Sequence, residues 1–130
     1  ASLFSASVNG TPGATLTDIS ADARAVAITG HVGVGGLDLG GGRTIPGREA
    51  GAMADGTDGY AIVLTPGAEL RYQRMLGSTT GSILTGADDY GTSIAIGPDM
   101  LVLGLGMTAS QTLDAVTVPS GARLVDFSLR

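Results

Sequence analysis

The chain has no cysteine, no lysine and no tryptophan, and phenylalanine and tyrosine together make up 4% of it. Without thiols it can form neither a disulfide nor a thiolate metal site, so the fold must hold without covalent staples. All seven basic residues are arginine and stand against twelve acids, for a net charge of −5. A nucleic acid is therefore a poor partner, because neutralising phosphates needs a concentrated basic face. The missing lysine fits a GC-rich coding genome, or a preference for bidentate arginine contacts at interfaces. No run approaches the ~20 apolar residues of a membrane span, and no basic segment followed by an apolar stretch opens the chain. The expectation is a soluble protein without a signal peptide of its own.

What is abundant points to sheets. Hydrophobic residues make up 43% of the chain and there are 22 glycines, against an ordinary glycine content of ~7%. A core made of Val, Ile, Leu and Ala suits thin, closely packed sheets, and glycine suits turns, bulges and close backbone approaches. The chain of 130 residues fits one domain, and a chain of this size buries roughly two-thirds of its unfolded surface. The charged fraction of 15%, with apolar residues throughout, is unlike a disordered chain.

Short apolar runs recur between turn residues, as in a sandwich or barrel. Leu3 to Val8, Thr15 to Ile19, Arg24 to Thr29, Tyr60 to Leu64, Glu69 to Met75, Thr92 to Ile96, Leu113 to Val118 and Ala122 to Leu129 read as strands. A helical turn over Ala21 to Ala27, capped by Ser20 or Asp18, is the alternative for that segment. Gly30 to Gly42 reads as strand broken by bulges, and Arg43 to Gly59, with Pro46 and four glycines, as a long excursion. Pro66-Gly67 suits the centre of a type II turn joining two strands of a hairpin. On its return strand Leu70 and Tyr72 are expected on one face, with Glu69, Arg71 and Gln73 on the other. Met100 to Leu105 is apolar at nearly every position, so cover is expected on both of its faces, from a second layer or another subunit. Val125, Phe127 and Leu129 should point inward together. About nine or ten strands and no long helix favour an all-β, single-domain antiparallel β-sandwich or jelly-roll over residues 1–130, with long Gly-rich loops.

No segment carries a catalytic signature. Gly104-Leu105-Gly106-Met107-Thr108-Ala109 has the spacing of a dinucleotide fingerprint, but strand-like Ala115 to Val118 leaves no room for the helix that would hold pyrophosphate. Asp55-Gly56-Thr57-Asp58-Gly59 and Ala87-Asp88-Asp89-Tyr90 could offer carboxylates to calcium, yet neither has the spacing of a known loop, and turn chemistry explains both. The single His31 and the two glutamates, Glu49 and Glu69, are a sparse inventory for acid–base work. No Gly-x-Ser-x-Gly elbow marks a nucleophile. The reading is a non-enzyme with no metal and no cofactor. Arginine and tyrosine are enriched at interface hot spots. Arg71, Tyr72 and Arg74, with Arg43 and Arg48 in the glycine-rich excursion and Met100, Leu101 and Leu103 in the apolar run, are therefore the candidate contact residues.

The chain as a whole resembles the small accessory proteins of tailed-phage particles: capsid decoration or cement proteins, and head-fibre or tail-tip modules. The resemblance rests on a short, Cys-free, Gly-, Ala- and Thr-rich β sequence with long loops and the apolar Met100 to Leu105 strand. It implies a symmetric homo-oligomer, a trimer first, bound to another protein of the virion. The alternative is a carbohydrate-binding or adhesin-like sandwich at the cell surface or outside the cell, for which Tyr60, Tyr72, Tyr90, Phe4 and Phe127 are the aromatics on offer.

Overall fold

The computed structural model describes residues 14–33, 36–40, 43–45, 57–76, 89–108, 110–113 and 116–129. These form no helix, and eleven strands: β1 (Thr15–Ala21), β2 (Val26–Val32), β3 (Leu37–Gly40), β4 (Arg43–Ile45), β5 (Asp58–Leu64), β6 (Leu70–Leu76), β7 (Tyr90–Ile96), β8 (Met100–Met107), β9 (Gln111–Leu113), β10 (Val116–Val118) and β11 (Gly121–Ser128). A four-stranded sheet, β1-β2-β5-β6, faces a three-stranded sheet, β11-β8-β7, and the short pairs β3-β4 and β9-β10 complete the described strands. Every pairing is antiparallel. The all-β, two-layered architecture expected from the period of two is therefore present. The strand expected over Leu3 to Val8 lies outside the described residues.

The turn residues act locally. Between β1 and β2, the Asp22 carboxylate accepts the N–H groups of Arg24 at 2.7 Å and Ala25 at 3.1 Å, which closes a tight turn and leaves no helical turn over Ala21 to Ala27. The Arg24 guanidinium bonded to Asp22 holds this carboxyl below its usual range. Between β5 and β6, Thr65 O accepts from Ala68 N–H at 2.9 Å and Thr65 N–H donates to Glu69 O at 2.8 Å. Of the turn residues it is Ala68, at φ 64°, that is left-handed. The turn is thus a tight three-residue loop ending in a left-handed residue, and the type II turn expected at Pro66-Gly67, which needs that conformation at glycine, does not form.

A bulge next to this turn changes which face its side chains take. Leu64 pairs with Leu70 but Val63 pairs with Tyr72, so Arg71 is the extra residue. Opposed residues share a face and neighbours along a strand do not. Leu70 and Tyr72, expected on one face, therefore lie on opposite faces.

The main core lies between the two sheets. Ala25, Ala27, Ala61, Val63 and Leu76 meet Ile94, Leu101, Leu103, Leu105, Met107 and Phe127 there, with Val125 and Leu129 packed alongside as expected. Each large apolar side chain buried in this way is stabilised by about 1.5–3 kcal/mol. A second cluster, made by Ile28, Val32, Leu37, Tyr60, Ile62 and Leu64, fills the opposite face of the four-stranded sheet. Consequently β5 is covered on both faces and buried at every position after Asp58, and β2 contributes to both clusters through Ala27 and Ile28. Of the apolar run expected to be covered twice, β8, the chain's own second layer covers one face: Leu101 and Leu103 are fully buried while Met100 is 47% exposed.

The sheets touch most closely at one corner. Gly91 on β7 lies against Thr29 on β2, so that a Cβ there would overlap Thr29 Oγ1, and a Cβ on Gly59 would meet the backbone of Tyr90 and Gly91 at 3.1 Å. Nearby, Asp18 Oδ2 on β1 accepts the Ile94 N–H at 2.9 Å and Ser20 Oγ accepts the Ile96 N–H at 3.3 Å. Two side chains two residues apart thus satisfy two backbone donors two residues apart, and replace a strand-to-strand ladder between the edges β1 and β7.

Candidate interaction surface

The outer face of the three-stranded sheet has no second layer of described strands against it. Its composition follows from register. Tyr90, Gly106 and Ala122 form one row across β7, β8 and β11; Ser93, Gly104 and Leu124 form the next; Ala95, Val102 and Asp126 the third; Met100 and Ser128 the last. Asp126 is the only charged residue among these positions. Leu124 is 77% exposed, Met100 47% and Tyr90 43%, so large apolar side chains stand in solvent around a floor of glycine.

The glycine floor is a requirement of its neighbours. A Cβ on Gly106 would run into the Tyr90 ring, and one on Gly104 would meet the hydroxyls of Ser93 and Thr92. The Tyr90 ring therefore lies across Gly106, and the Thr92 and Ser93 hydroxyls fold over Gly104, where β7 is bulged between Gly91 and Ser93. A groove of about 420 Å³ runs between Tyr90, Thr92, Thr108 and Ala122. A shallower depression of about 230 Å³ continues it beside Gly104 and Leu124.

The Tyr90 end is fixed by Asp89, which is buried. Its Oδ1 accepts the Thr108 N–H at 2.8 Å, and its own N–H donates to Thr57 O at 2.8 Å. Asp58 and Asp89, weighed as calcium ligands from the sequence, are thus a strand residue and an anchor between segments, while Asp55 and Asp88 lie outside the described residues. Among the described residues no three of His, Cys, Asp and Glu gather as metal ligands. Gly104 to Met107 of the dinucleotide-like spacing fall inside β8, which stays extended through Met107, so no helix begins at these glycines to receive a phosphate.

The contact residues expected from the sequence are dispersed. Met100 lies on the open face. Leu101 and Leu103 are wholly within the chain's own core, because their parity along β8 is that of the inner face. Tyr72 is half-buried against that core, with its hydroxyl enclosed and without a hydrogen-bond partner. Arg74 places its guanidinium 5.2 Å from the centre of the Phe127 ring, so it bridges the two sheets. Arg71 is exposed on the bulge of β6. Arg43 pairs with Gly40 in the β3-β4 ribbon, and Arg48 lies outside the described residues.

Tyr90 and Leu124 were legible in principle. Gly104 and Gly106, two apart in an apolar run, mark a strand face without side chains, and Leu124 has the parity opposite to Val125 and Phe127. Chemically, the face offers apolar contact, a few hydroxyls and backbone, which is the equipment of docking. Comparison of the chain with known protein families, with curated proteins and with solved structures gave no match.

Proposed function

We propose that the chain is a structural protein of a virus particle, a decoration or fibre-type component that forms a symmetric homo-oligomer and docks onto another virion protein without catalysing a reaction. The observation that carries this reading is the open face of the three-stranded sheet, where Tyr90, Met100 and Leu124 stand exposed around Gly104 and Gly106 with one charge, Asp126, among them. Exposed apolar faces of this kind mark association surfaces. A core with so few aromatics also gains from burial against a second chain. The expected result in sedimentation and light scattering is a multimer at micromolar concentration, and co-sedimentation with capsid or tail particles. A strict monomer that leaves such particles unbound overturns the reading.

A second reading has its own observation. The Tyr90 ring beside the groove is a stacking platform of the sort that binds the apolar face of a sugar. Glycan-array binding abolished by Tyr90→Ala would establish it, and an array without binding would remove it.

A further inference from the structure

Among the described residues the two facing sheets have four edges, and three of them are protected against further pairing. Strands β1, β6 and β7 each carry a register shift next to the edge, at Leu16/Asp18, at Val63/Leu64 with its extra residue on β6, and at Gly91/Ser93. Bulges of this kind twist an edge away from incoming strands. In addition, the Asp18 and Ser20 side chains of β1 accept the outward Ile94 and Ile96 N–H groups of β7. Strand β11 differs. It runs for eight residues against β8 without a shift in register, contains no proline, and is exposed at most of its positions.

The direction of its backbone groups follows from one hydrogen bond. Leu129 N–H donates to Asp99 O at 2.9 Å, in register with the β8 pairing. Alternation then turns Phe127, Val125 and Arg123 toward β8, and turns Leu124 and Asp126 outward with Ala122. Ala122 O accepts the Arg123 guanidinium at 2.9 Å and keeps a second lone pair.

We infer that the β11 edge pairs antiparallel with β11 of a second copy about a two-fold axis, joining two three-stranded sheets into one continuous sheet. This rests on the oligomeric reading above and names its interface. The occupant is a second copy because the edge is self-complementary in one register. Only registers that differ by two residues keep outward groups opposed and side chains on matching faces. With Leu124 opposite Leu124, the most exposed large apolar side chain of the described residues is covered by its own copy, and Ala122 stands opposite Asp126 in both halves. The two Asp126 carboxylates are then roughly 14 Å apart. The next register in one direction sets Leu124 against Asp126, and in the other sets Arg123 against Arg123. An isologous strand pair of this sort closes at two copies.

The test compares the native chain with Leu124→Pro and Leu124→Lys by light scattering and circular dichroism at about 100 µM. The Leu124 N–H points away from β8, so proline there removes no bond of the chain's own ladder, and lysine keeps the N–H while placing like charges on the axis. The expected result is a native species of twice the 12.8 kDa chain mass, both variants at the single mass with unchanged β-type spectra, and Leu124 and Asp126 amides that exchange more slowly as native concentration rises. If proline unfolds the chain, the lysine variant decides. Variants that keep the native multimer's mass overturn the β11 pairing and leave the oligomeric reading standing. A native trimer overturns the two-fold arrangement, and a native monomer overturns both.

Discussion

At the β1–β7 margin of the sandwich, Asp18 and Ser20 accept backbone N–H groups of the opposite sheet and Gly91 sits against Thr29. At the β6–β11 margin a guanidinium lies over a phenyl ring, Arg74 on Phe127, 5.2 Å from its centre. The first margin is joined by directional bonds and by the absence of side chains, and at the second a polarisable contact between side chains links the sheets. Directional bonds to buried donors lose more when broken, because the abandoned N–H has no other partner. Two margins of one sandwich should therefore respond very differently to single substitutions.

The largest effect is expected at the close corner. Gly91→Val sets two methyl groups where Thr29 Oγ1 already is, and should destabilise the fold by about 3 kcal/mol or more, read from urea unfolding. Alkaline pH tests the same region. The Tyr60 hydroxyl donates to Thr15 O at 3.1 Å, and burial pushes it up to about 12. Its folded pKa is raised, so its contribution is whole below pH ~10 and is lost as pH climbs from there through the folded value. That loss should be on the order of 2 kcal/mol, and Tyr60→Phe should remove this part of the alkaline slope between about pH 10 and about pH 12.

Asp18→Ala leaves the Ile94 N–H without its acceptor and should lose about 1–3 kcal/mol. Asp18→Asn should recover part of it, and Ser20→Ala, acting on the longer bond to Ile96, should lose less than Asp18→Ala. Arg74→Met exchanges the cation for an apolar stem and should lose about 0.5–1 kcal/mol, with a coupling to Phe127→Leu of similar size in a double-mutant cycle. If Arg74→Met proves as damaging as Asp18→Ala, the contrast between the margins is wrong.

The parts of this architecture that a period of two can carry were legible in the sequence. Val125, Phe127 and Leu129 point inward as their spacing requires, and the hairpin around Pro66 joins β5 to β6. The failures share a cause. A bulge at Arg71 reverses the parity of Leu70 against Tyr72, and nothing in a local alternation announces an extra residue. The run over Met100 to Leu105 is as apolar at its outward positions, Met100 and Val102, as at its inward ones, so alternation does not mark which face the chain itself covers. The Asp18 and Ser20 bonds join residues far apart in the chain, with donors that are backbone and carry no sequence signal. The open face, likewise, is marked by what Gly104 and Gly106 do not carry, whereas large side chains are what signal a contact in a sequence.

The side-chain ladder at β1–β7 also sets how the molecule breathes. Bonds at one margin make it a pivot, so separation of the sheets is a rotation that opens widest at the opposite side. Amide exchange is therefore expected to reach Phe127 and its neighbour Leu129 before Ala27 and Thr29, and equal rates at the two margins would refute the pivot.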